Sequence, residues 1–184
     1  MRNLYKFIFF KIFGWSISGD VPRNINKFII IVAPHSSSID FFVGLFVRSI
    51  LKFNCGFLAK KELFNFPFGI LFRALGGYPV DRKSSNKLVD QVVTIVKKEE
   101  RFAVAIAPEG TRKPVKKWKT GFYYIALQAN IPLVMASFDY ERKNVKFSEP
   151  FYLTGITITD AKAINDYFKN TNGKNHNAAP LVLE

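Results

Sequence analysis

The stretch Phe28-Ile29-Ile30-Ile31-Val32-Ala33-Pro34-His35-Ser36-Ser37-Ser38-Ile39-Asp40-Phe41-Phe42-Val43 decides the fold. Its first six residues are apolar without alternation, the pattern of a strand covered on both faces. From Phe41 an apolar helical run continues to about Lys52. The turn between them carries one histidine and one carboxylate. Histidine alone has an unperturbed pKa close to neutral pH. A carboxylate on one ring nitrogen fixes the tautomer and leaves the other nitrogen free as a base. On a continuous helix, side chains five residues apart point about 140° away from each other and cannot pair. If His35 follows the strand end and Asp40 lies in the first helical turn, the intervening serines can curl the chain so that they do. A His and an Asp at this spacing also occur by chance, so the rest of the chain must supply the context.

Outward from this stretch the covered-strand pattern recurs. It appears at 54–59, ending in Lys60-Lys61, at Phe102 to Ala107, and at Pro132 to Phe138. Leu63 to Leu75 reads as a helix broken near Pro67 and stopped by Gly76-Gly77. Tyr78-Pro79-Val80 is a short extended piece that Pro79 keeps out of a fully paired central position. Leu88, Val89, Val92, Val93 and Val96 recur at helical spacing, and Phe122, Ile125, Ala126 and Ala129 mark a helix over 121–130. The pieces 144–148 and 150–153 read as a terminal pair of strands, and a short helix runs from Thr159 or Asp160 to about Phe168. Strands alternating with helices predict an α/β fold: a single domain with a largely parallel mixed sheet flanked by helices. Ligands of such sheets bind beyond the carboxyl ends of the strands. His35, Arg82, Glu109 and Arg112 all follow strand ends, which puts them on one rim.

The chain has 184 residues, 48% of them hydrophobic, which suits one domain with a real core. Lys plus Arg number 27 against 14 Asp plus Glu, a net charge of +13. That excess favours an anionic partner: nucleic acid, an anionic membrane surface or a phosphorylated substrate. Twenty phenylalanines, many near the N-terminus, suit a membrane surface at least as well as nucleic acid. Cys55 is the one cysteine and reads as a buried free thiol; it permits no intrachain disulfide, in keeping with a reducing compartment. His176, the other histidine, lies in a polar tail, so no Cys/His cluster for a metal is expected.

Three regions follow: 1–14, 15–170 and 171–184. Residues 1–14 read as an N-terminal apolar helix, too short to span a bilayer and interrupted by Lys6 and Lys11. Such a helix lies in a membrane interface, packs in a core, or belongs to a signal peptide. Residues 15–170 form the main domain. The tail, 171–184, is polar and asparagine-rich and is expected to be disordered.

With these blocks in view, the chain resembles the glycerolipid acyltransferases, the family of lysophosphatidate acyltransferase. The family's His-x4-Asp motif matches His35 to Asp40. Its second block, a Gly-rich turn ending in Arg, matches Gly76 to Arg82. Its Glu-Gly-Thr-Arg block matches Glu109-Gly110-Thr111-Arg112, and a proline-containing fourth block resembles Ile131-Pro132-Leu133-Val134. The blocks stand in family order. Pro34 stands where Asn often precedes the family histidine, and Met135 where a second Pro is common.

The resemblance implies catalysis by His35 and Asp40. His35 takes the proton of an acceptor hydroxyl, and that oxygen attacks an acyl thioester of coenzyme A or acyl carrier protein. It implies acceptor-phosphate binding by Arg82, Glu109, Gly110, Thr111 and Arg112. Within that set, Glu109 would position an arginine or an acceptor hydroxyl. Lys60 and Lys119 are candidate contacts for the donor or for lipid headgroups. No cofactor beyond the thioester co-substrate and no metal are expected. The acceptor implied is a lysophospholipid, foremost 1-acylglycerol-3-phosphate, and phospholipid synthesis is the setting. The expected partners are that lysolipid, the thioester carrier and an anionic membrane surface, not nucleic acid. The expected place is the cytoplasmic side of the cell membrane, as a peripheral or monotopic protein. Two alternatives stand beside this reading: O-acylation of another lysolipid or an aminolipid, and a non-enzymatic basic module that binds membrane or nucleic acid.

Overall fold

The computed structural model describes residues 2–81 and 85–183. Its strands are β1 (Ser16–Ser18), β2 (Lys27–Ala33), β3 (Gly56–Lys60), β4 (Gly77–Val80), β5 (Phe102–Ile106), β6 (Leu133–Asp139) and β7 (Asn144–Phe147). They form one sheet in the order β1-β7-β6-β2-β5-β3-β4. The apolar run that opens the reading becomes β2, the middle strand, parallel to β5 on one side and to β6 on the other. β3 and β4 extend the parallel set. β7 runs antiparallel to β6, and β1 pairs parallel with β7. The expected largely parallel mixed sheet is therefore found. β4 takes the edge, where the missing N–H of Pro79 is tolerated.

One strand pairing differs from expectation. β7 pairs with β6 and β1 rather than with 150–153, and Phe151 makes only an isolated antiparallel bridge to Leu133. The turn at 140–143 is short enough to fold β7 back as a hairpin on β6, which leaves 150–153 outside the ladder.

The helices are α1 (Arg2–Lys6), continued by a π-helical turn over Phe7–Ile12, then α2 (Ile39–Leu51), α3 (Phe68–Ala74), α4 (Ser85–Lys98), α5 (Gly121–Ala129) and α6 (Thr157–Phe168). A 3₁₀ turn at Lys61–Phe64 precedes α3, so the break expected near Pro67 is present. Alternation along the strands feeds two cores. Ile29, Ile31, Val104 and Leu133 pack with α4, α5 and α6 on one face. Phe28, Ile30, Val134 and Ala136 pack with α2 and the N-terminal helix on the other.

The N-terminal helix has two different sides. Phe9 is buried, stacking on Phe46 of α2 and tilted against Trp15. Leu4, Phe7, Ile12 and Phe13 face out. The core-helix and surface readings thus describe opposite sides of one element.

Residues 171–183 depart from the disorder expected of the tail. Leu181 is buried in the core, its N–H donates to Asn165 Oδ1, and its carbonyl accepts from Asn165 Nδ2. Trp118 N–H donates to Pro180 O, and Tyr140 N–H donates to Asn172 O. A polar composition does not preclude order when a few apolar side chains are buried and the backbone groups find partners.

α6 is held at its start by Asp160, which is fully buried and accepts from Tyr123 Oη, Thr154 Oγ1 and the N–H groups of Thr154 and Gly155. Burial and this contact push the Tyr123 hydroxyl up to about 12, so it stays a donor. Asp160→Ala strands these donors and should cost about 3 kcal/mol of stability. The urea midpoint measures it, with an unchanged denaturant slope; a midpoint equal to the parent's would refute the role given to Asp160.

Candidate active site

β2 ends at Ala33, α2 begins at Ile39, and Asp40 is the second residue of that helix. The serines close the turn between them. Asp40 N–H donates to Ser37 O, Ile39 N–H donates to Ser37 Oγ at 3.2 Å, and Ser37 N–H donates to Asp40 Oδ2 at 2.9 Å. The curl brings His35 Nδ1 to 3.1 Å from Asp40 Oδ2. With Nδ1–H donating to the carboxylate, Nε2 carries the free lone pair of the neutral ring. His35 is partly exposed and lines a large cleft.

Asp40 is 3% exposed, and its other oxygen is also occupied: Tyr140 Oη donates to Oδ1 at 2.5 Å. Burial pushes the Asp40 pKa up. Hydrogen bonds from His35, Tyr140 and the Ser37 N–H outweigh it and hold the carboxyl below its ordinary 3.8. Burial and the same bond push the Tyr140 hydroxyl far up, so it remains protonated and donating.

The Glu-Gly-Thr-Arg block follows β5. Glu109 is 1% exposed, and its Oε2 accepts from the His35 backbone N–H at 2.9 Å. Its Oε1 is buried and has no hydrogen-bond partner among the described residues. The contact found for Glu109 ties the loop after β5 to the turn after β2. Gly110 has φ +68°, a backbone conformation that calls for glycine, and its nearest neighbour is the Lys119 side chain. Thr111 Oγ1 accepts from Lys113 N–H at 3.2 Å. Arg112 is exposed, and its carbonyl lies 3.2 Å from His176 Nε2. The Asn177 carbonyl on Nδ1 and the Arg112 carbonyl on Nε2 both raise the pKa of His176, because carbonyls accept only and favour the doubly protonated ring.

The cleft has a volume of 1340 Å³. The structure brings His35, Asp40, Gly110, Thr111, Arg112, Lys60 and Lys119 to its lining, while Glu109 sits behind it; Arg82 lies outside the described residues. Phe41, Leu45, Phe57 and Phe72 are among its apolar walls, and Lys113 and Lys117 add to its basic side. Asp40 is the one acidic residue among the described lining residues. No group of three metal-ligating side chains occurs among the described residues.

Sequence reasoning missed Tyr140, Asn175 and His176. Asn175 Nδ2 donates to Ser36 O at 2.6 Å and its N–H donates to Ser36 Oγ at 3.1 Å, so the tail clasps the turn that carries His35. A signal existed for Tyr140: it directly follows a covered strand, as the other rim residues do.

The model of the family described as Acyltransferase matches residues 17–138, and the chain belongs to that family. It is 25% identical over 142 residues to a 1-acyl-sn-glycerol-3-phosphate acyltransferase of Cocos nucifera, covering 72% of this chain and 45% of that protein. It is 28% identical over 152 residues to the human 1-acyl-sn-glycerol-3-phosphate acyltransferase beta, covering 78% of this chain and 54% of that protein. The chain thus spans about half the length of the curated relatives it matches. Among solved structures, the 1-acyl-sn-glycerophosphate (LPA) acyltransferase PlsC of Thermotoga maritima has the same fold. The TM-score is 0.59 at 20% identity, covering 90% of this chain and 74% of that one.

Tyr140→Phe keeps the ring, which packs edge-on against Trp15 at 4.9 Å, and removes only the donor. The lowered pKa of Asp40 contributes stability above 3.8 that is lost as pH falls through its folded value. The variant should be less stable by about 1.5–3 kcal/mol at neutral pH. The gap should narrow under acid, because Asp40 then starts nearer its ordinary value. Urea midpoints measured from neutral pH downward give the comparison, and a gap independent of pH would mean the hydroxyl does not act on the charged form.

Proposed function

We propose that this protein transfers an acyl group from a thioester to a hydroxyl of a lysophospholipid. Its acceptor is 1-acylglycerol-3-phosphate, the class of substrate carried in the names of the relatives. The observation that carries the reading is the 3.1 Å His35–Asp40 contact on an otherwise apolar and basic cleft. His35 Nε2 removes the acceptor hydroxyl proton as its oxygen bonds to the thioester carbonyl carbon. The tetrahedral intermediate then expels the thiolate, which takes that proton from the imidazolium. Asp40 holds the ring orientation and offsets its transient charge. This route needs no cofactor beyond the thioester.

The cations Lys60, Arg112 and Lys119 suit the phosphates of both reactants: the acceptor headgroup, and the coenzyme A or acyl carrier protein that brings the acyl group. Arg82 belongs to the same set by its sequence block. The acceptor is a lipid, so the working partner is an anionic membrane surface. In this reading the protein is peripheral on the cytoplasmic face, and the outward Leu4, Phe7 and Phe13 with Lys11 support an interfacial N-terminal helix. No helix among the described residues is long and apolar enough to cross a membrane.

The test is thiol release from acyl-coenzyme A or acyl carrier protein with a panel of lysolipids. Lysophosphatidate should give the highest kcat/KM. His35→Ala should lower the rate by about 10²–10⁴-fold in folded protein. A rate within about threefold of the parent would remove His35 from the mechanism, since general-base catalysis is worth far more.

Arg112→Ala should raise the acceptor KM or lower its kcat/KM by about tenfold or more, the loss of one charge-assisted hydrogen bond. An effect confined to the thioester KM would assign Arg112 to the donor instead.

A further inference from the structure

Between Lys61 and Ala74 the chain forms a 3₁₀ turn and α3 at the β4 edge of the sheet. The inner side of this hairpin is fixed. Phe64 is buried against Phe72, Phe72 meets Phe57, and a Cβ on Gly69 would collide with the Phe64 carbonyl at 1.9 Å. Arg48 of α2 donates to Leu75 O at 2.7 Å and ties the end of the hairpin to that preceding helix.

The outer side is exposed. Phe66 is 88% exposed and Ile70 71%, with Phe68 and Leu71 beside them. Four large apolar side chains on one short rigid hairpin are costly in water and mark a contact surface. Lys60, Lys61 and Arg73 flank them against the single acid Glu62. The hairpin also borders the active-site cleft, since Leu63 and Phe72 form part of its wall.

We propose that this hairpin inserts into an anionic lipid surface and seats the mouth of the cleft on it, as a contact separate from the N-terminal helix. The proposal extends the reading of a lipid acceptor. Apolar tips ringed by cations suit the boundary between acyl chains and anionic headgroups, where the cations remain in water. A second copy of this chain is a poorer occupant. Self-association would set Lys60, Lys61 and Arg73 against their own counterparts. The outcome for the reaction is that a lysolipid can pass from bilayer to cleft past Leu63 without crossing open water.

The test uses full-length protein carrying an environment-sensitive fluorophore on Phe66→Cys, with Gln128→Cys on the opposite face as the comparison. Cys55 is buried and its thiol is pushed up to about 12, so the introduced thiol takes the label. Phosphatidylglycerol vesicles should brighten and blue-shift the label at 66 and leave the one at 128 unchanged. The double variant Phe66→Asp, Ile70→Asp should lower the vesicle-bound fraction about tenfold, through the loss of buried apolar surface. It should turn over a monomeric short-chain lysophosphatidate within about twofold of the parent, as expected of surface changes.

Protein that sediments with vesicles while the label at 66 stays in water would overturn the hairpin and leave lipid binding to other surfaces. A shift at 66 that needs no vesicles and grows with protein concentration would overturn it in favour of self-association. A parent protein inactive on every lysolipid would strike the acyl-transfer reading alone, since the fluorescence result does not depend on turnover.

Discussion

Asp40 is a carboxylate taken almost wholly out of water, and the site depends on the donors that meet it. A buried carboxylate without partners is prohibitively unfavourable and would simply take up a proton. Here the His35 ring, the Ser37 N–H and the Tyr140 hydroxyl all point at its two oxygens. The three come from the turn after β2 and from the end of β6, so satisfying one charge also fixes the relative position of two strand ends. The arrangement explains why a buried acid stays ionised, and why the ring of His35 is held with one nitrogen committed and the other free.

A second buried carboxylate works alongside it. Glu109 fastens the backbone of His35 to the loop after β5, while Asn175 fastens Ser36 to the tail. His176, one residue further on, meets the Arg112 carbonyl. The turn that carries the histidine is therefore gripped from β5, from α2 and from the last segment of the chain. Such a turn keeps its geometry at the edge of a wide cleft, because Glu109 and Asn175, which hold it, are not among the residues lining that cleft. Gly173 permits this closeness: a Cβ there would lie 2.1 Å from the His176 carbonyl and 2.9 Å from Pro34.

The two faces of the sheet differ in what they present to solvent. α4 places Val89, Val92, Val93 and Val96 inward and ends in Lys97 and Lys98, the ordinary arrangement of a surface helix. On the other face the N-terminal helix, α2 and α3 bury one set of aromatic rings and expose another. Tyr5, Phe9 and Phe13 meet Phe46, Phe41 meets Phe57, and Phe57 meets Phe72, so an aromatic chain links these helices. Phe41 and its neighbour Phe42 are themselves exposed, as are Phe66 and Phe68 of the hairpin. The unusual phenylalanine content is thus concentrated on one side of the molecule, with the net positive charge of the whole chain to favour an anionic surface there.

Much of this was legible before any tertiary contact was known. The covered strands β2, β5 and β6 are short apolar runs, and a run with no polar alternation can only be a strand with both faces buried, or a core helix that its length rules out. The His35–Asp40 pair was legible because its partners are five residues apart, and local chain geometry alone can bring them together. Other features required the folded chain. Tyr140 lies 100 residues from Asp40, and it arrives because β6 is the neighbour of β2, a fact of strand order that periodicity does not encode. The hairpin return of β7, the inward turn of Phe9 and the clasp of Asn175 on Ser36 follow the same logic. Composition marks the segment around Asn175 as polar, but not which distant groups will satisfy it. Patterning within a segment sets which face is buried and how the chain turns. Which segments become neighbours is decided by packing over the whole chain, and with it the distant donor, Tyr140, that helps keep Asp40 charged.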